Sequence, residues 1–162
     1  MKNKYLWSGS IVGAVLVLDQ LTKYLVLSSI HLYERITVIP GFFNLTHVRN
    51  KGAAFGLLAD VPGIWRGLFF ITTTLAALAV IGFLIRKTQD RLQVWAFSLI
   101  AAGAAGNLID RIRFDEVVDF IQWYFRSFYW PSFNVADSAI SVGVGLLILD
   151  MVLKKDTKEE NS

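Results

Sequence analysis

The stretch LQVWAFSLIAAGAAGNLIDR, residues 92–111, decides the fold. From Leu92 to Ile109 it carries no charge, and it approaches the roughly 20 apolar residues that a helix needs to cross a bilayer. Its run Ala101-Ala102-Gly103-Ala104-Ala105-Gly106 keeps side chains small, so another helix can approach closely. The stretch closes on Asn107, Asp110 and Arg111, spaced i, i+3 and i+4, which lines them along one helix face. One reading makes Asn107 orient a substrate carbonyl while Arg111 pairs with Asp110 or a further acid. The other makes Arg111 an ordinary arginine snorkelling to the interface at a helix end.

Three further stretches approach spanning length, residues 6–27, 64–85 and 134–153. The chain is 54% hydrophobic and 18% charged, with a mean hydropathy of +0.49, too apolar for an ordinary soluble domain. The fold class is therefore an all-α membrane protein with about four transmembrane helices, one integral membrane domain over residues 1–162. The opening Met1-Lys2-Asn3-Lys4 and the apolar run after it resemble a signal peptide, but no small-x-small cleavage site follows, so the span is read as retained.

Between the first two spans, Ile36-Thr37-Val38-Ile39 and Phe42-Phe43-Asn44-Leu45-Thr46 flank Pro40-Gly41, the pattern of two strands around a turn. Between the last two, Trp123, Tyr124, Phe125, Phe128, Tyr129, Trp130 and Phe133 crowd a short loop, a composition suited to the membrane–water interface. Residues 154–162 read as a disordered tail.

The absence of cysteine excludes disulfides, thiolate metal sites and a cysteine nucleophile. A net charge of +3 raises the question of nucleic acid, but the sixteen Lys and Arg are scattered between apolar runs. Membrane lipids, not nucleic acid, are the expected partner. Lys2, Lys4, Arg86, Lys87, Arg91, Lys154, Lys155 and Lys158 share one face, assigned to the cytoplasm together with both termini. Arg35, Arg49, Lys51, Arg66, Arg111, Arg113 and Arg126 fall on the other, so the count is nearly balanced unless those residues are folded into a site.

Two acids stand in apolar surroundings: Asp119 in Val117-Val118-Asp119-Phe120-Ile121, and Asp137 in Phe133-Asn134-Val135-Ala136-Asp137. Ionisable groups beside lipid are costly and point to function. Two carboxylates brought together share a proton and can activate water. A loop would carry Asp119 and a helix start Asp137, where Asn134 as N-cap with an acid three residues on also forms a capping box. Asp19 reads either as an i, i+4 ion pair with Lys23 or as a support for the site. The run from Arg49 to Gly56 is a close-approach segment or simply a tight turn. His31 and His47 lack ligand-like spacing and read as surface residues.

Asp19-Gln20, Asn50 to Gly56, Gly106 to Arg111, Val117 to Ile121 and Phe133 to Asp137, in that order and with no cysteine, resemble the lipoprotein signal peptidase family, signal peptidase II. The resemblance implies an aspartic peptidase of the bacterial cytoplasmic membrane, without metal or cofactor. Such an enzyme cuts prolipoproteins just before a diacylglyceryl-modified cysteine, at a site toward the extracytoplasmic face. It implies catalytic roles for Asp119 and Asp137, and substrate-binding or site-shaping roles for Asp19, Asn50, Gly56, Asn107, Asp110, Arg111, Asn134 and Ala136. It further implies a β-cradle over about residues 35–58 and a short interfacial helix, and a monomer is expected. A small proton-coupled transporter is the alternative, although a relay wants acids spread across the membrane and most of these gather toward one face, with Asp150 near the opposite end.

Overall fold

The computed structural model describes residues 3–52 and 63–159. Gly56, and residues 53–58 of the expected cradle, lie outside the described residues. The chain runs α1 (Lys4–Ser29), β1 (Arg35–Ile39), β2 (Phe43–Asn50), α2 (Gly63–Lys87), α3 (Arg91–Phe114), β3 (Val117–Phe125), β4 (Phe128–Tyr129) and α4 (Val135–Glu159). All four helices are long and apolar enough to cross a membrane.

Helix α1 is built inside out relative to a helix of a soluble bundle. On α1 the buried positions are Lys4, Ser8, Asp19, Lys23 and Val26, while Leu6, Val17, Leu18, Leu21 and Leu25 are exposed. Its apolar face suits lipid, and the polar groups it turns inward must satisfy one another. Helix α3 is the hub, packing on α4, α1 and α2. Its contact with α4 is close because it uses glycines: a Cβ at Gly103 would collide with the carbonyl oxygen of Ala136, and one at Gly143 would lie 2.7 Å from that of Ala96.

The helix ends are written locally. Asp90 caps α3, its carboxylate accepting from the N–H groups of Leu92 at 2.8 Å and Gln93 at 3.3 Å. Asp115, in the left-handed region at φ 58°, ends it. That end lies beyond the expected one near Ile109, so Asp110 and Arg111 sit within the helix. Helix α4 likewise continues to Glu159, past the end expected near Leu153 and into the stretch read as a disordered tail.

The sheet has four antiparallel strands in the order β1-β2-β3-β4. The expected pair around Pro40-Gly41 is present as β1 and β2, and Gly41 takes φ +80° in the turn. The segment read as a loop carrying Asp119 is instead strand β3, paired to β2. The register of β2 and β3 slips between Leu45 and Val48, so that Val48 faces Asp119. Bulges of this kind re-aim side chains beside a site. The aromatic segment after Asp119 is also strand, with Tyr124 paired to Tyr129 and their rings stacked at 5.2 Å. Among the described residues no short interfacial helix joins the spans. An apolar core of Val26, Ile30, Val118 and Phe120 seals the sheet to the end of α1.

Candidate active site

Asn134 brings the two acids together. As the residue before α4, its Oδ1 accepts from the Asp137 N–H at 2.9 Å and its own N–H donates to Asp137 Oδ2 at 3.2 Å, a reciprocal capping box. Its amide Nδ2 reaches the other way, donating to Asp119 Oδ1 at 2.7 Å. The capping reading of Asp137 and the functional one are thus the same geometry. The second oxygen of each acid is also held: Asn50 Nδ2 donates to Asp119 Oδ2 at 3.1 Å, and Asn107 Nδ2 to Asp137 Oδ1 at 2.8 Å. Asn50 can reach Asp119 because it stands two residues beyond Val48 and therefore on the same sheet face.

Burial separates the two carboxyls. Asp119 is 2% exposed, while Asp137 is half-buried and lines a cavity of about 350 Å³ with Trp123, Trp130, Phe133, Ser138, Ser141 and Val142. Loss of water around Asp119, and then the charge of Asp137, push its carboxyl from 3.8 up to about 7, against the opposing hydrogen bonds from Asn50 and Asn134 and the charge of Lys23. A carboxyl raised toward neutral pH beside a second, hydrogen-bonded carboxyl is an arrangement suited to acid and base roles in one site.

Beneath the pair lies a buried ionic cluster. Lys23 is bridged to Asp19 and to Asp110, each at 2.9 Å. The expected i, i+4 pair with Asp19 is therefore present. Asp19 Oδ1 accepts from the N–H of Ala136 at 2.9 Å, and Asp110 Oδ2 from that of Val118 at 3.1 Å. Gln20 Nε2 joins both acids, at 3.1 Å to Asp19 and 3.2 Å to Asp110. Arg111 makes no ion pair with Asp110, Asp119 or Asp137: its guanidinium lies over the ring of Phe70 at 4.5 Å, though its charge still acts on all three acids.

Sequence reasoning passed over Lys23 as a site residue. The available signal was a lysine within an apolar span, whose desolvation one i, i+4 acid does not fully offset. His47 is corrected as well. It is buried, with Nδ1 at 2.9 Å from the Ile30 carbonyl oxygen and Nε2 accepting from Arg49 Nε at 3.3 Å. The bulge in β2 turns it inward, whereas His31 is exposed as read. Among the described residues no group of three or more His, Asp or Glu is gathered as metal ligands would be.

This architecture and sequence have close counterparts. A solved structure of a bacterial membrane enzyme matches with a TM-score of 0.84 at 35% identity, covering 93% of this chain and 90% of that one. A second bacterial membrane enzyme matches at 0.78 and 36%, covering 89% and 91%. The chain is a multi-pass membrane protein. The lipoprotein signal peptidase of Syntrophus aciditrophicus is 51% identical over 148 residues, covering 90% of this chain and 92% of its own. That of Geobacter sulfurreducens is 48% identical over 160 residues, covering 98% and 99%. The family model described as signal peptidase (SPase) II matches residues 11–153, and the chain belongs to that family of peptidases.

Proposed function

We propose that this chain is an aspartic endopeptidase of the bacterial cytoplasmic membrane that removes the signal peptide from diacylglyceryl-modified prolipoproteins, cutting just before the lipidated cysteine. The observation that carries the reading is the Asn134 bridge, which holds Asp119 and Asp137 in one site while Asn50 and Asn107 occupy their remaining oxygens. The lipoprotein substrate rests on the names of the relatives. Family membership leaves the transporter alternative without support.

In this mechanism Asp137, facing the cavity as a carboxylate, takes a proton from a water molecule as its oxygen attacks the scissile carbonyl carbon. Asp119 gives its proton to the carbonyl oxygen, producing a gem-diol. Asp137 then protonates the amide nitrogen, the C–N bond breaks, and Asp119 recovers its proton from a gem-diol hydroxyl. The products are the signal peptide's carboxylic acid and the free amino group of the cysteine. The apolar walls, Trp123, Trp130, Phe133 and Val142, suit a lipid-bearing or hydrophobic peptide segment. The acids open toward the extracytoplasmic face in the orientation proposed, with both termini in the cytoplasm, and the enzyme works as a monomer.

A gel-shift assay on a diacylglyceryl-modified prolipoprotein tests this. Wild type is expected to cleave, and Asp119→Asn and Asp137→Asn each to lose at least about 1,000-fold, because such pairs act as a unit. Full activity in either variant would sink the assignment, and an inert wild type on several such substrates would remove the function.

A further inference from the structure

The buried ammonium of Lys23 has three N–H donors and no acceptor. Each donor has one partner: Asp19 Oδ2 at 2.9 Å, Asp110 Oδ2 at 2.9 Å and Asn107 Oδ1 at 3.1 Å. Each partner leads in one step to the proposed dyad. Asp19 holds the N–H of Ala136, the residue before Asp137. Asp110 holds the N–H of Val118, the residue before Asp119. Asn107 donates directly to Asp137 Oδ1 at 2.8 Å.

The third arm also fixes the direction of an amide. Only the oxygen of Asn107 can face an ammonium, so its Nδ2 must face Asp137. Asn134 Nδ2, at 3.2 Å from the same oxygen, agrees. Without Lys23 that one remaining Nδ2 is shared with Val118 O and Asp119 Oδ1. A reversed Asn107 would then set oxygen against oxygen at Asp137.

We infer that Lys23 is a positioning residue for peptide hydrolysis, setting the separation of Asp119 and Asp137 through Asp19 and Asp110 and the orientation of Asn107 toward Asp137. It ties four of the elements that carry the site: α1 through its own side chain and Asp19, α3 through Asn107 and Asp110, and the starts of β3 and α4 through the two backbone N–H groups. Lys23 touches neither acid of the dyad nor the cavity, so it acts only through these partners. The inference rests on the aspartic dyad proposed above.

The experiment measures kcat, KM and pH profiles on a diacylglyceryl-modified prolipoprotein in detergent micelles, with thermal unfolding as a control for folding. Lys23→Met is expected to lower kcat on the order of 100-fold, the scale set by small misplacements of reacting groups, with KM within about threefold. Its alkaline limb should move to higher pH, because the charge that favours ionised Asp119 is gone. Combined with Asn107→Ala, the loss should be smaller than the product of the two single losses, since both act in part through one contact. A full kcat, an unmoved limb or strictly multiplicative losses overturns the inference. Should Lys23→Met not fold, Asp19→Asn and Asp110→Asn take its place. Both should lower kcat at nearly constant KM, and unchanged kcat in both overturns it equally. An active Asp119→Asn would instead point to failure of the dyad reading itself.

Discussion

Asp119 is the residue whose environment makes the sharpest demand on protonation. Burial comes first, the neighbouring Asp137 second, and together they raise its carboxyl to about 7. The unfolded chain releases that proton near 3.8, so between these values the folded protein binds more protons than the unfolded one. Stability therefore falls as pH rises through this window, by at most ~1.4 kcal/mol per pH unit from this group, and levels off above about 7. Thermal unfolding in micelles from pH 4 to 8 should show this slope in wild type and a shallower one in Asp119→Asn. Equal slopes would remove Asp119 as its source. Asp119 was legible from sequence as an acid among valines, but its two amide partners were not, since Asn50 lies on another strand and Asn134 at a helix start.

Among the elements, the α3–α4 contact governs the site. Helix α4 begins at Val135, and the Ala136 carbonyl that meets Gly103 lies next to Asp137. A methyl at Gly103 meets backbone that cannot rotate away, so α4 must shift. Gly103→Ala is expected to destabilise the protein by about 1–3 kcal/mol and to lower kcat along with it. Gly145→Ala, where a Cβ meets nothing within 4 Å, should leave both near wild type. Wild-type stability and activity in Gly103→Ala would show that the contact has slack. The small-residue run announced close packing in advance. What it could not announce was strand β3, because Val117 to Phe125 carries apolar residues on both faces and so shows no clean alternation, and its partner strand β2 precedes it by two helices.

At the level of the whole molecule, orientation depends on charges that the fold has already engaged. Of the basic residues assigned outside, Lys51 pairs with Glu116 at 3.6 Å and Arg66 with Asp115 at 2.8 Å. Arg35 lies over Tyr129, Arg49 and Arg113 over Phe114, Arg111 over Phe70 and Arg126 over Phe125. All seven make such contacts, as do Lys4, Lys87 and Lys154 on the opposite face, so the near-balanced count does not by itself set the orientation. Reporters fused at the C-terminus and beside Lys87 are expected to read cytoplasm, and one beside Trp130 outside. The reverse pattern would overturn the orientation.

The sequence by itself determined the spans, the first strand pair, the two acids and the cap at Asn134. Each of these is written in neighbouring residues as a run of apolar length, an alternation around Pro40-Gly41, or a three-residue spacing. Only the tertiary structure decided that Lys23 joins Asp19 to Asp110, that His47 turns inward, and that Asp119 rides a strand. In a membrane the helices turn apolar faces to lipid, so the interior is assembled from sparse polar residues far apart in the chain. Which of them meet is fixed by helix packing and strand register, and neither is encoded in any local pattern.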